Sequence, residues 1–456
     1  MHPDLRERIE KIEKEIDKFT QLSDAIKEQR YTSLHLREYA RLIEDCRKIL
    51  KANLEKHLRT LLDPLKTEEE KDAKLADFRS PIKRLFDFFY RLLATSQKVP
   101  RELYYLSDTF LESQGQPAHY IISISEEIAM LPFSYIISYF GFDITYPEFW
   151  AEAKDKRFYF VQVVPELADR EASLNWPIII HEMAHIIWFE RMIKGDKYFP
   201  SISVYHALKT IESLDKGELG PDEPIVELAT QKLYAAEILA DFLVARYFGA
   251  IFGWRFLVEY VDLRDLFEPD RTHPYPDVRV LKVSNEVRDQ LGMSECAKFL
   301  EQEIKTYQRK VSRRVKKRGS KLDLSRVLST VDKELQTLIA ETRKDKRNAL
   351  TYEKIKQALR DSPWFRTPES RAEIERKLQD KNFYQFLKQL HKDIIGGKPI
   401  VVEPSVVYFL LTLDFSAVNE IPVGKTLHER RILELVADLI RLYAVQRRVS
   451  KSKSTS

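Results

Sequence analysis

The sequence has little glycine, little cysteine and no long apolar run. Only 12 of its 456 residues are glycine, whereas a share of about 7% is usual, and folds built from strands and turns need glycine wherever the backbone takes a positive φ. We therefore exclude an all-β protein and expect a mainly helical one. Cys46 and Cys296 lie far apart in the chain, which excludes a disulfide framework and a cysteine-rich zinc module and fits a reducing compartment.

Signals for membrane insertion and export are also absent from the sequence. No apolar run reaches the roughly 18–20 residues that a membrane helix needs. The first residues are charged from Asp4 onward, so we expect neither a membrane span nor a signal peptide, and we expect a cytoplasmic protein. Positive and negative side chains nearly balance, with 75 Lys and Arg against 71 Asp and Glu, so the overall charge favours no class of partner.

Apolar residues at helical spacing are frequent along the chain. Two such stripes near the N-terminus predict a helical hairpin, and a coiled-coil arm that docks a partner is the alternative. Their members are Leu5, Ile9, Ile12, Ile16 and Phe19, then Leu36, Tyr39, Leu42, Cys46, Leu50, Leu54 and Leu58. We predict a mainly α (α+β) protein with a small sheet, divided into a hairpin (1–75), a central domain (76–295) and a C-terminal helical domain (296–456).

One apolar stretch carries the pattern H-E-x-x-H, at His181, Glu182 and His185. Residues four apart share a face of a helix, so the two imidazoles could bind one zinc ion, with Glu182 beside it to take a proton from water. Pro177 and Asn175 suit the start of such a helix. The alternative is a buried helix whose polar groups are satisfied by hydrogen bonds, but three polar groups in so apolar a helix are costly without partners.

A catalytic zinc site needs a third protein ligand and leaves one position open. A second apolar helix is predicted around Glu237 and Asp241, which are again four residues apart. We expect Glu237 to be the third ligand and Asp241 to accept the free ring N–H of a ligand histidine. Glu227 is a weaker candidate for the third ligand, and a helix edge with two solvated carboxylates is the alternative.

Together these motifs resemble the gluzincin metallopeptidases, in which H-E-x-x-H is followed by E-x-x-A-D. The similarity is closest to the group of the CAAX prenyl proteases and the HtpX-type heat-shock peptidases, because Thr-His-Pro follows at Thr272, with Arg279 six residues after His273. It covers about residues 158–290. The chain differs from the family in having no predicted membrane span, and in having Ala184 where Gly is frequent.

The resemblance implies a zincin-like metallopeptidase core that uses zinc to hydrolyse a peptide or protein substrate. In that family pattern His181, His185 and Glu237 hold the metal, and Glu182 is the general base. By the same resemblance His273 faces the scissile carbonyl and stabilises the oxyanion, while Arg279 braces the site or neutralises nearby carboxylates. Residues 158–164, predicted as a strand from their β-branched and aromatic side chains, would be an edge strand that pairs with an extended peptide. Without the resemblance they are a core strand, and the Thr-His-Pro segment is a plain turn.

A basic segment without acidic residues lies further along the chain. Its members are Lys305, Arg309, Lys310, Arg313, Arg314, Lys316, Lys317, Arg318 and Lys321. A solvated helix or linker, a surface for nucleic acid, and a surface for an acidic protein or anionic lipid all fit this pattern. Beside the zinc peptidase, the sequence therefore leaves two alternatives: a scaffold or regulatory protein that zinc stabilises, and a nucleic-acid-associated protein that acts through its C-terminal region.

Overall fold

The fold is known from a computed structural model of the whole chain. The structure describes residues 3–28, 33–61, 67–116, 118–126, 128–193, 204–220, 223–257, 272–292, 294–311, 324–344, 349–362, 372–373, 376–377, 380–396, 402–411 and 427–454. Most of these residues are helical, and three short strands form one small sheet. The prediction of a mainly α protein with a small sheet is confirmed.

The elements follow one another along the chain with most of the strands in its first third. The first half contains α1 (Pro3–Lys27), α2 (Leu34–Leu61), α3 (Glu68–Ser96), α4 (Arg101–Ser113), β1 (His119–Ile124), β2 (Ala129–Pro132), α5 (Phe133–Tyr139), α6 (Phe142–Thr145), α7 (Pro147–Ala153), β3 (Phe158–Val163), α8 (Pro165–Ala168), a 3-10 helix (Arg170–Asn175), α9 (Trp176–Ile193) and α10 (Val204–Asp215). The second half contains α11 (Pro224–Phe248), α12 (Ala250–Arg255), α13 (Pro276–Leu291), α14 (Ser294–Val311), α15 (Leu324–Lys344), α16 (Tyr352–Asp361), α17 (Asp380–Ile395), α18 (Pro404–Leu411) and α19 (Leu427–Ser454).

The chain divides into two compact units. The first comprises Met1–Val99 and Pro117–Pro165, and the second comprises Pro100–Gln116 and Glu166–Ser456. The predicted boundary after residue 75 lies inside α3, which begins with a capping box between Thr67 and Glu70 and continues through Pro81. The division into three domains that we predicted stays a prediction.

The first unit is built on the predicted N-terminal hairpin. α1 and α2 pack against each other, and α3 packs on α1. The predicted stripes form their buried face: Ile12, Phe19 and Leu50 are fully buried. Phe19 meets the rings of Phe86 and Phe89 on α3 edge-on, at centroid distances of 5.5 and 6.0 Å, so aromatic packing joins the hairpin to the third helix.

The sheet of the first unit has the strand order β1-β3-β2. β1 runs parallel to β3, with His119 opposite Phe158, and β2 runs antiparallel to it, with Ala129 opposite Gln162. The strand predicted at 158–164 is therefore present, but the expectation that it is an edge strand is wrong. Its backbone groups are paired on both sides, so it offers no free edge to an extended peptide.

The second unit is organised around α11. This helix begins at Pro224 and ends at Phe248, and Gly249 follows it with a φ of 73°, in the region that favours glycine. It packs against α9, α10, α13 and α15, and nearly every side chain from Ala229 to Phe248 is buried. Because α11 is covered on nearly all sides from Ala229 onward, the polar groups that this part carries face neighbouring helices rather than water.

Candidate metal centre

The H-E-x-x-H residues lie on α9, as the sequence predicts. Pro177 occupies the second position of this helix, where its missing N–H has no helical partner to lose. His181 and His185 lie one turn apart on the same face, and their Nε2 atoms are 3.1 Å from each other. His181 is buried, whereas His185 is partly exposed. The two rings meet edge-on with centroids 4.7 Å apart, so both Nε2 atoms point to one place.

Glu237 reaches the same place from α11. Its Oε2 lies 3.1 Å from His181 Nε2, and its Oε1 lies 3.1 Å from His185 Nε2. Three ligand-type side chains from two packed helices therefore converge, although 56 positions separate His181 from Glu237 in the chain. The structure brings together the three residues that we predicted as metal ligands.

The spacing of these atoms fits a divalent metal ion. Zinc bonds to nitrogen and oxygen are about 2.0–2.2 Å long, so the ligand atoms of a tetrahedral ion lie roughly 3.3 Å apart. The contacts among the two imidazoles and the carboxylate are all 3.1 Å. Two imidazoles and a carboxylate are also a donor set that zinc accepts, as other divalent ions do.

Glu182 also lies close to the two histidines. Its side chain is partly exposed, and one of its carboxylate oxygens lies within 4.8 Å of the ligand nitrogens of both histidines. Because α9 turns by about 100° per residue, Glu182 is displaced around the helix from the face that carries the imidazoles. It has the access to solvent that a proton acceptor needs.

Asp241 lies one turn after Glu237 and faces the other nitrogen of His181. Its Oδ1 is 3.0 Å from His181 Nδ1. The two atoms are close enough for a hydrogen bond but poorly aligned for one, so the contact is chiefly electrostatic. A carboxylate there favours the tautomer with the proton on Nδ1, which leaves Nε2 with a lone pair for a metal.

Arg279 on α13 closes the buried side of the cluster. Its Nε and Nη2 donate to the two oxygens of Asp241 at 2.7 and 2.8 Å, and its Nη1 lies 2.9 Å from Glu237 Oε2. Its Nη2 is also 3.3 Å from His181 Nε2, and its guanidinium lies 4.6 Å from the centre of the Phe256 ring. Arg279 is 3% exposed, so it is a buried cation that three side chains of the cluster surround.

These contacts shift the pKa values of the buried groups. Burial alone would raise the pKa of Glu237, but the neighbouring positive charges, led by His273 and Arg279, hold it well below its usual value. Burial likewise opposes ionisation of Asp241, yet Arg279 and His181 lower its pKa. For His181, burial alone would lower the pKa, but contacts with Asp241 and Glu237 outweigh it and raise the pKa to about 9. Both carboxylates are therefore anionic at neutral pH.

His273 lies at the margin of the cluster, just before α13. Its Nε2 is 3.6 Å from Glu237 Oε1, and its Nδ1 is 2.7 Å from Thr272 Oγ1. Its side chain is 47% exposed, whereas those of His181, His185 and Glu237 are 5%, 13% and 11% exposed.

The structure describes two other predicted features in whole or in part. Glu227 lies ten residues before Glu237 on the same helix, which is about 15 Å along its axis, and it accepts a hydrogen bond from Gln231. It is therefore too far away to be the third ligand. In the basic segment only Lys305, Arg309 and Lys310 fall on α14, and the remaining members lie outside the described residues.

Sequence reasoning missed two contacts, one to a ring of the cluster and one at the start of α9. Phe252 on α12 stacks on the His181 ring at 5.8 Å with an angle of 9° between the planes. Asn175, which we expected to cap α9, instead accepts a hydrogen bond from Arg255 at 2.6 Å. The only sequence signal for these contacts is the presence of charged residues in apolar surroundings, which predicts a partner without naming it.

No protein-family model, curated protein or solved structure matches this chain. No helix within the described residues is long and apolar enough to cross a bilayer.

Proposed function

We propose that this protein is a soluble zinc-dependent metallopeptidase with a gluzincin-type site. The observation that carries the proposal is the convergence of His181, His185 and Glu237, with contacts of 3.1 Å between each pair of side chains. The partly exposed Glu182 within 4.8 Å of both histidine nitrogens supports it, because a hydrolytic site needs a base beside its metal. The zincin-like core belongs to the same proposal.

Each residue of the site has a distinct part in this proposal. His181, His185 and Glu237 would hold the ion, which would supply Lewis acidity to water and to a substrate carbonyl. Glu182 accepts a proton on its carboxylate from the attacking water and passes it to the leaving amine. His273 lies on the exposed side, where its imidazole is available to the oxyanion of a bound peptide.

The buried residues keep the ligands in place. Asp241 keeps the proton of His181 on Nδ1, and Arg279 compensates the two carboxylates so that both remain ionised in a buried position. With Arg279 bound to Oε2 of Glu237, the other oxygen of that carboxylate faces His185 and His273. Arg279 therefore acts on the metal through the orientation of a ligand.

A second candidate is a scaffold in which zinc is structural. The observation that favours it is the burial of His181, Glu237, Asp241 and Arg279, which join α9, α11 and α13. A metal there would stabilise the packing of three helices whether or not a peptide is cleaved. The substrate in the first proposal is a peptide or protein, and the cytoplasmic location remains a proposal that rests on the sequence.

Replacing Glu182 by Gln separates these two candidates. Wild-type protein loaded with zinc is incubated with a quenched fluorogenic peptide library, and cleavage is followed by fluorescence. The peptidase proposal predicts cleavage that falls at least about a hundredfold in Glu182→Gln, because a general base contributes roughly 10²–10⁴-fold, while the zinc content stays the same. The matched control is Glu212→Gln, which removes a surface carboxylate paired with Lys216. Wild-type protein that binds zinc but cleaves no member of the library would favour the scaffold.

A further inference from the structure

His273 is more exposed than the other histidine and acidic side chains of the metal centre. It precedes Pro274, which is buried, while its own ring is 47% exposed. Arg279, six residues later, fixes this segment to the cluster. Its side chain contacts Asp241 and Glu237, and its backbone N–H donates to Tyr275 O at 3.0 Å. The ring of His273 therefore has a fixed base and an exposed outer face.

Thr272 sets the orientation of this ring. The Thr272 hydroxyl oxygen lies 2.7 Å from His273 Nδ1, which leaves Nε2 as the nitrogen that faces the cluster. Histidines that bind metals typically have their other ring nitrogen engaged in a hydrogen bond in this way. The same division of roles holds for His181, in which Asp241 faces Nδ1 and the ligand cluster faces Nε2.

The distance from His273 Nε2 to Glu237 Oε1 is close to the distance expected between two ligand atoms of one metal ion. His273 Nε2 lies 3.6 Å from Glu237 Oε1, which is longer than a good hydrogen bond but close to the roughly 3.3 Å that separates ligands around tetrahedral zinc. Oε1 is also the oxygen that lies next to His185 Nε2, at 3.1 Å. The nitrogen of His273 is thus a neighbour of the ligand atoms.

We propose that His273 is a fourth protein ligand of the metal in the resting protein, bound through Nε2, and that a substrate or inhibitor has to displace it. The inference rests on the proposed metal centre and adds a form of regulation to it. With four protein ligands the ion has the closed coordination of a structural site, and loss of one ligand converts it to the open coordination of a catalytic site. Because the His273 side chain is 47% exposed, its displacement does not require a fully buried side chain to leave the core.

The test counts the imidazoles around the metal. X-ray absorption spectra are recorded for zinc-loaded wild-type protein, His273→Ala and the control His119→Ala, which removes a half-exposed histidine of the other compact unit. We expect three imidazoles in wild type and in His119→Ala, and two in His273→Ala. Two imidazoles in wild type would overturn the fourth-ligand proposal and leave the metallopeptidase proposal standing, whereas wild-type protein that binds no zinc would overturn both.

The affinity for zinc and for a small metal chelator gives a second, independent measurement. Zinc affinity, measured by competition with a chromophoric chelator, is expected to fall more than about tenfold in His273→Ala, since even the loss of a group that only orients a ligand costs about that much. Thr272→Val keeps the ring and is expected to weaken binding by a smaller factor. Acetohydroxamate added to the cobalt-substituted protein should bind more tightly to His273→Ala than to wild type, because no ring has to leave; equal affinities would contradict the proposal.

Discussion

At the scale of single residues, the metal centre is a group of buried charges that compensate one another. Arg279 lies between Asp241 and Glu237, with contacts of 2.7–2.9 Å to both. A buried charge whose partner is removed costs about 3–5 kcal/mol. We therefore expect single substitutions within this group to disturb both the fold and the affinity for the metal, and the two effects have to be measured separately.

Asp241→Asn tests the role of the residue behind His181. We expect zinc affinity to fall by about 10–100-fold, because the neutral amide no longer fixes the Nδ1 proton of His181. The measurement is zinc competition with a chelator, with circular dichroism to confirm the helical content. Asp332→Asn is the control, since Asp332 pairs with Lys282 at 2.6 Å and is 42% exposed. Equal affinities for both variants would show that Asp241 does not act on the ligand.

The stability of the metal-free protein should depend on pH through His181. Its pKa is raised from 6.5 to about 9, so its contribution to stability is complete below about pH 6.5 and is lost as the pH rises through 9. The pKa values of Glu237 and Asp241 are lowered, so their contributions are present at neutral pH and are lost on acidification. Between these limits the cluster stabilises the metal-free fold most.

Urea unfolding of the chelator-treated protein checks this prediction. From pH 6.5 to 9.5 the free energy of unfolding of wild type should fall by on the order of 3 kcal/mol more than that of His181→Gln, since one pKa unit corresponds to about 1.4 kcal/mol. Parallel pH profiles for the two proteins would contradict the assignment of the raised pKa to His181.

At the scale of helices and strands, sequence periodicity predicted the elements that bury an apolar stripe. The N-terminal hairpin was found at the predicted place because its apolar residues recur on one helix face, and the helices that carry His181 and Glu237 were found because their sequences are apolar on nearly all sides. The sequence also predicted that α9 and α11 contribute side chains to one cluster, because polar groups in apolar helices need polar partners.

The remaining features depend on contacts that sequence spacing does not encode. The role of 158–164 as the central strand follows from pairing with β1 and β2, which lie on either side of it. The partnership of Asn175 with Arg255 joins residues 80 positions apart. An asparagine or an arginine in apolar surroundings needs a polar partner, but its residue type does not identify that partner. The fold determines which residue it is.

Phe19→Ala tests how much aromatic packing holds the hairpin to α3. Phe19 is fully buried against Phe86 and Phe89, and we expect a loss of about 3–5 kcal/mol in the free energy of unfolding, since loss of a buried ring leaves a cavity. The control Leu34→Ala removes a side chain that is 65% exposed on α2 and should change the stability by less than about 0.5 kcal/mol. Similar effects for both variants in urea unfolding would show that this packing does not stabilise the unit.

At the scale of the whole molecule, the candidate metal centre and the sheet lie in different compact units. Every residue of the candidate metal centre belongs to the second unit, whereas the sheet and the N-terminal hairpin belong to the first. A ligand that binds only the folded state stabilises the elements that hold it. Metal binding should therefore act on the second unit in particular.

Hydrogen exchange with and without zinc tests this division. At zinc concentrations about 100-fold above the dissociation constant, openings that break the site become about 2.7 kcal/mol more costly. Amides of α9, α11 and α13 that exchange through such openings should slow by up to about a hundredfold, while those of α1 and α2 should keep their rates. Equal slowing in both units would show that the metal stabilises the chain as one cooperative body.

The most direct test of the account is the amount of zinc that purified protein retains, measured by mass spectrometry for wild type, Glu237→Gln and Glu227→Gln. The account predicts one zinc ion per chain in wild type and in Glu227→Gln, because Glu227 lies about 15 Å from the cluster along α11, and little or none in Glu237→Gln. Zinc retained equally by Glu237→Gln, or absent from wild type even after incubation with the metal, would contradict it.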